Sequence, residues 1–94
     1  MSLIVSPEAT ADLSEIYDYI SFDSPIAAER ELERLYANFQ RLANRELSGV
    51  AVRLRRGGAA RRWPVPPYRV YFRHVGDETH ILRVHHGARR PIER

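Results

Sequence analysis

The sequence predicts an α+β domain, in which a helical hairpin packs on a small, largely antiparallel sheet in the order β-α-α-β-β-β. Three observations carry this. Two Ser-Pro pairs, Ser6-Pro7 and Ser24-Pro25, each open a run whose apolar residues recur at helical spacing. Two later runs, Tyr68 to Arg73 and Ile81 to His85, show strand alternation, and Gly76-Asp77 lies between them as a hairpin turn. A short apolar run, Leu3-Ile4-Val5, precedes the first helix and supplies a first strand. Helices grouped together and strands grouped together are the pattern of α+β folds.

Taken in order, the first helix starts at Pro7. Ala9, Leu13, Ile16 and Ile20 form its apolar stripe beside Tyr17, and Glu8, Asp12, Glu15 and Asp18 are expected on the wet side. Phe22-Asp23 interrupts the pattern, and so short a loop makes the two helices antiparallel neighbours. The second stripe is Ala28, Leu32, Leu35, Phe39 and Leu42, widened by Tyr36. From Asn44 to Ala60 periodicity disappears, and the glycines and arginines there read as a basic loop with an extended piece around Val50 to Leu54. Arg61 to Val65 is a short strand with Trp63 and Val65 on one face. Pro66-Pro67 turns the corner into Tyr68 to Arg73, which places Val70 and Phe72 on one face and Arg69, Tyr71 and Arg73 on the other. In the last strand the same alternation puts Leu82 and Val84 on the packing face, and Ile81, Arg83 and His85 on the other. Gly87 ends the strand, and residues 88–94 are expected to form a mobile tail whose removal leaves the fold intact.

The 94 residues, 44% apolar and 29% charged, suit a single domain over residues 1–94. No run reaches the ~18 apolar residues of a membrane span, no signal-peptide pattern opens the chain, and cysteine is absent, so the reading is a soluble, cytoplasmic protein without disulfides or thiolate metal sites. Charge is uneven. Residues 1–47 hold nine acids and four arginines, net −5, whereas residues 48–94 hold three acids and eleven arginines, net +8. A basic half attracts polyanions, either nucleic acid or an acidic protein segment. Every basic side chain is arginine, the group that holds carboxylate and phosphate bidentately.

Pairing the last two strands brings Arg69, Tyr71 and Arg73 beside Arg83 and His85, on the sheet face away from the helices. Such a cluster could clamp phosphates, with His85 moving a proton near neutral pH, or could serve as a partner-binding face. His74, His80, His85 and His86 do not follow a metal-ligand spacing, so no metal and no cofactor is expected. No phosphate-binding loop and no nucleophile elbow is present.

These residues resemble a known family. Ser6 to Ile20 (SPEATADLSEIYDYI), Trp63-Pro-Val followed by YRVYFR to Arg73, and Ile81 to Arg90 (ILRVHHGARR) are similar, in order and spacing, to the ParE/RelE toxins of bacterial type II toxin-antitoxin systems, and closer to ParE. The resemblance implies the RelE/ParE-like fold and a toxin of plasmid-stabilisation type. It also implies neutralisation by a cognate, ParD-like antitoxin with an acidic amphipathic tail. ParE-like members inhibit DNA gyrase without catalysis, and Arg69, Tyr71, Arg73, Arg83, Arg89 and Arg90 are then the target-binding candidates. RelE-like members are metal-independent endoribonucleases that cut mRNA on the ribosome; Arg61 (or Arg62), Arg83 and His85 are the catalytic candidates on that alternative. Pro66-Pro67 and Arg90-Pro91 depart from the family pattern at the end that would face the target.

Overall fold

In the computed structural model, residues 2–89 and 92–93 are described, and they form two helices on one face of a five-stranded sheet. The elements are β1 (Ser2–Val5), α1 (Pro7–Ser21), α2 (Pro25–Ala43), β2 (Val50–Arg53), β3 (Ala59–Val65), β4 (Tyr68–Val75) and β5 (Glu78–His86). The strand order is β1-β5-β4-β3-β2. Only the β1–β5 pair is parallel, because the two helices carry the chain away from β1 and back before the antiparallel meander begins. Compared with the expected order, one strand is added. β2 is the extended piece inside the basic segment, and it pairs with β3 from Val50↔Arg62 to Arg53↔Ala59.

Both helices begin where the Ser-Pro pairs place them. The Ser6 hydroxyl accepts from the Ala9 N–H, and the Ser24 hydroxyl from the Ala27 N–H, each meeting a donor that the first turn leaves without a partner. The core lies between the hairpin and the inner sheet face. Ala9 and Leu13 of α1 and Leu35, Phe39 and Leu42 of α2 meet Val70, Phe72, Ile81 and Val84 of the central strands, and Trp63 packs at the margin.

Two expectations are corrected here. Asp12 is not on the wet side of α1: it is only 8% exposed. Ile81 is not on the outer face with Arg83, because the β4–β5 register shifts between Tyr71 and Phe72. Tyr71 faces Arg83 while Phe72 faces Ile81, so Leu82 is an extra residue in β5. The bulge turns both Ile81 and Val84 into the core, leaves Leu82, expected on the packing face, outside it, and breaks the simple alternation on which the face assignment rested.

Candidate binding face and its two latches

The cross-strand register sets a row on the outer face. Arg62 lies opposite Tyr71 and Tyr71 opposite Arg83; one step along, Arg69 lies opposite His85. Opposed residues in a sheet share a face, so the arginine, tyrosine and histidine side chains start from one surface. Their partners then separate them.

Arg83 is claimed by α1. Its Nε and Nη2 donate to Asp12 Oδ2 and Oδ1 at 2.7 and 3.0 Å, a bidentate pair, while Asp12 Oδ2 also accepts the Val84 N–H at 2.9 Å. The cause is topological. β1 pairs with β5 only as far as Val5↔Ile81, and beyond that the edge of β5 has no strand beside it. Ser6 covers the next groups, with its N–H to the Ile81 carbonyl and its hydroxyl to the Leu82 carbonyl. Asp12, one turn into the helix, then meets the Val84 N–H. The hydrogen bonds to Asp12 hold the Arg83 guanidinium above its ordinary pKa against the opposing effect of burial.

A second latch lies across the sheet. Tyr71 is 0% exposed, and its hydroxyl donates to Glu93 Oε2 at 2.6 Å; Glu93 Oε1 pairs with Arg62 Nη1. The backbone follows, since Leu54 and Glu93 form an antiparallel bridge and the Arg55 N–H donates to the Ile92 carbonyl at 2.9 Å. Burial, then the bond to Glu93, raises the Tyr71 hydroxyl above its usual range. The bonds from Tyr71 and Arg62 lower the Glu93 carboxyl despite its desolvation. Ile92 and Glu93 are therefore held on the sheet, within the segment expected as a tail.

The remaining candidates are placed as follows. Arg61 lies opposite Phe72 and so starts from the helix side; it donates to the Ser48 and Gly49 carbonyls at 2.6 and 3.0 Å. Arg73 donates to the Ala59 carbonyl at 2.8 Å. Arg89 reaches Glu15 at 3.8 Å on the surface. His85 is only 8% exposed and holds an interaction of its own. Arg90 lies outside the described residues. Among the described residues no group of three or more histidines and acids is spaced to hold a metal, and no helix is long and apolar enough to cross a membrane. A groove of about 630 Å³ opens beside the second latch, lined by Leu54, Arg55, Arg56, Arg73, Leu82 and Ile92 among others.

Sequence reasoning missed Asp12, Arg62 as the outer-face arginine of its pair, and Glu93. For Asp12 a signal existed: Ala9, Asp12, Leu13 and Ile16 keep the i, i+3, i+4, i+7 spacing of a buried stripe. For Glu93 no local pattern exists, because its partners are 31 and 22 residues away.

Comparison with known proteins agrees with this architecture. The family described as "ParE toxin of type II toxin-antitoxin system, parDE" matches residues 3–91. A protein named Toxin RelE2 from Caulobacter vibrioides is 37% identical over 81 residues, covering 86% of this chain and 89% of its own length. A solved chain from the chromosomal ParDE TA system of P. aeruginosa superposes with a TM-score of 0.71 at 27% identity, covering 92% of this chain and 95% of the other. The helical hairpin on its mixed sheet and the match across nearly the whole length lead to one conclusion: the chain belongs to the ParE toxin family of type II toxin-antitoxin systems.

Proposed function

We propose that this toxin acts in the cytoplasm by binding and inhibiting DNA gyrase, and that an acidic, ParD-like antitoxin neutralises it. The observation that carries the binding reading over a nuclease reading is the division of the catalytic candidates. Arg61 and Arg83 start from opposite faces of the sheet, and each spends its guanidinium inside the fold, on the Ser48 and Gly49 carbonyls and on Asp12. Phosphoryl-transfer catalysis needs cations and a proton carrier converging on one phosphate. A binding surface needs only complementarity, and residues 48–76, with seven arginines and no acid, provide a broad cationic one.

The name of the Caulobacter relative keeps ribosome-dependent mRNA cleavage as the second reading, with Arg62 replacing Arg61 beside Tyr71 and Arg83. Two assays separate them: supercoiling by purified gyrase, and mRNA cleavage on translating ribosomes. Gyrase inhibition without cleavage is expected. Because acid-base catalysis is typically worth ~100 to 10,000-fold, a nuclease using His85 would lose nearly all activity in His85→Ala; the gyrase reading predicts that toxicity survives this change. Loss of toxicity with an unchanged melting temperature would overturn it. Antitoxin affinity is expected to weaken with salt, and calorimetry that shows no salt dependence would remove the electrostatic part.

A further inference from the structure

We propose that the tip of the β2–β3 ribbon grips the phosphate backbone of duplex DNA, through Arg53, Arg55 and Arg56 with Arg73 beside them. Its part in toxicity rests on the gyrase reading above, because gyrase works on DNA; the contact itself needs no gyrase. The cations near the ribbon divide into two groups. Arg45, Arg61 and Arg62 donate to carbonyls or to a carboxylate of the fold. Arg53, Arg55 and Arg56 are exposed, and no group among the described residues takes their guanidiniums. The fold has no internal use for these three, and residues 48–76 hold no acid to offset them.

The backbone gathers them. The Gly57 N–H donates to the Leu54 carbonyl at 3.0 Å and the Leu54 N–H to the Gly58 carbonyl at 3.2 Å, so Arg55 and Arg56 are the central residues of a tight turn that follows Arg53, the last residue of β2. Gly57 and Gly58 hold φ values of +90° and +93°, which residues with a Cβ rarely adopt. A Cβ on Gly58 would also stand 3.0 Å from Arg73 Nη2, so this glycine leaves room for a fourth guanidinium, whose Nε donates to the Ala59 carbonyl. The tip lies at the sheet edge and ends in exposed Gly57, Gly58 and Ala59, none bulky enough to keep a phosphodiester away. Guanidinium matches phosphate, and a DNA duplex carries one charge per ~1.7 Å of its axis, dense enough to meet several arginines of one turn. Single strands are held by aromatic stacking, and residues 50–62 contain no aromatic side chain. Apart from its arginines the ribbon offers Val50, Ala51, Val52, Ala59 and Ala60, which carry no group that reads a base edge, so the contact is to the backbone. Glu8 is the acid that lines the same groove as Arg55, Arg56 and Arg73, and it confines phosphate to the ribbon side.

The test is fluorescence anisotropy of a short, fluorescein-labelled DNA duplex of mixed sequence, titrated with the full chain at several salt concentrations. Three phosphate contacts are expected to weaken binding roughly 40-fold when salt is raised fourfold. Arg55→Gln together with Arg56→Gln should flatten the slope of log affinity against log salt by about 1.8. Arg56→Gln alone should flatten it by about 0.9, and guards against a fold defect in the double variant. Arg30→Gln together with Arg41→Gln on α2 removes the same charge and should leave the slope as it is. Equal slopes for the ribbon pair and the α2 pair overturn the proposal, because binding would then follow net charge alone. So does a labelled single-stranded RNA that binds more tightly than the duplex through the same arginines. The titration contains no gyrase, so failure of one reading leaves the other standing: DNA binding without gyrase inhibition keeps the ribbon contact and removes the target, and inhibition without DNA binding does the reverse.

Discussion

Asp12 and Glu93 perform the same chemistry at two places, and the contrast between them shows what the element that delivers a carboxylate contributes. Each carboxylate receives an arginine and one further donor: Arg83 with the Val84 N–H for Asp12, Arg62 with the Tyr71 hydroxyl for Glu93. Asp12 is delivered by the 15-residue helix α1, whose Ala9 and Leu13 are themselves core residues. Glu93 is delivered by a short segment that, among the described residues, meets the sheet backbone at the Leu54–Glu93 bridge, where the Arg55 N–H donates to the Ile92 carbonyl. A carboxylate fixed by a packed helix cannot leave without unmaking the core, whereas one fixed by a single backbone bridge can leave alone. The energy of such a latch depends on what orders the acid, more than on the ion pair.

The largest expected effect comes from breaking the helix-borne latch. Asp12→Ala leaves the Val84 N–H unsatisfied and Arg83 without its anion. Removing one partner of a fully buried pair costs ~3 to 5 kcal/mol; because Arg83 is more than a third exposed, about 2 to 3 kcal/mol is the better expectation. For a domain of this size that lowers the melting temperature by roughly 10 to 20 °C. If Asp12→Ala costs no more than Glu93→Gln, the contrast between the two latches fails.

Next comes Gly49, which positions the β2–β3 ribbon that presents Arg62. Its φ is +70°, and a Cβ there would lie 2.6 Å from the Arg62 carbonyl oxygen, against backbone that cannot yield like a side chain. Gly49→Ala is expected to destabilise by about 1 to 3 kcal/mol through strain. It should also loosen Glu93, read as faster proteolysis at the C-terminus. Unchanged stability would show that the ribbon can shift without cost.

These two sites also mark how far the sequence could be read. The helices and the final hairpin were legible because their signals are local: a capping serine, a proline at the first position, apolar residues at fixed spacing. β2 was visible only as an extended piece, since its four residues, Val50-Ala51-Val52-Arg53, are too few, and Val50 and Ala51 too exposed, for a burial alternation that distinguishes strand from loop. The outer-face cluster was legible as a group, Arg69 and Tyr71 beside Arg83 and His85, whereas the register sets Arg73 opposite His80. Its electrostatics were not, because they depend on Asp12, 71 residues from Arg83, and on Glu93 at the chain's end. The bulge at Leu82 lay beyond periodicity altogether: one extra residue shifts every later assignment, and only the partner strand reveals it.

A smaller effect is expected at the terminal latch. Glu93→Gln keeps the shape and a hydrogen-bonding oxygen but removes the charge, so a loss of about 1 kcal/mol or less is expected in denaturant titration. The sharper readout is local. Hydrogen exchange at the Arg55 N–H, which donates to the Ile92 carbonyl, should accelerate while exchange at the Val84 N–H on Asp12 stays slow. Acceleration at both sites together would mean that the two latches open as one unit.

The smallest effect is a pH dependence that distinguishes the terminal latch from a third group. His74, whose Nδ1 lies 2.8 Å from the Thr79 hydroxyl, has its pKa lowered by desolvation and then by Arg45 and Arg61. The unfolded chain therefore binds the proton more readily than the folded one, and stability is lost as pH falls through the ordinary histidine value of about 6.5. Glu93 is lowered as well, but from a carboxylate value of about 4.3, so its stabilisation is complete above that pH and disappears as pH falls through the lowered folded value. Both slopes have the same sign in separate windows. Urea unfolding from pH 8 to 3 should show a shallow decline near pH 6 that His74→Gln removes and Glu93→Gln keeps. Below pH 4.5 the decline should be steeper, and Glu93→Gln should reduce it while His74→Gln does not. If His74→Gln leaves the upper window unchanged, the ring is solvated in the folded chain and its neighbours, Arg45 and Arg61, are too well screened to act on it.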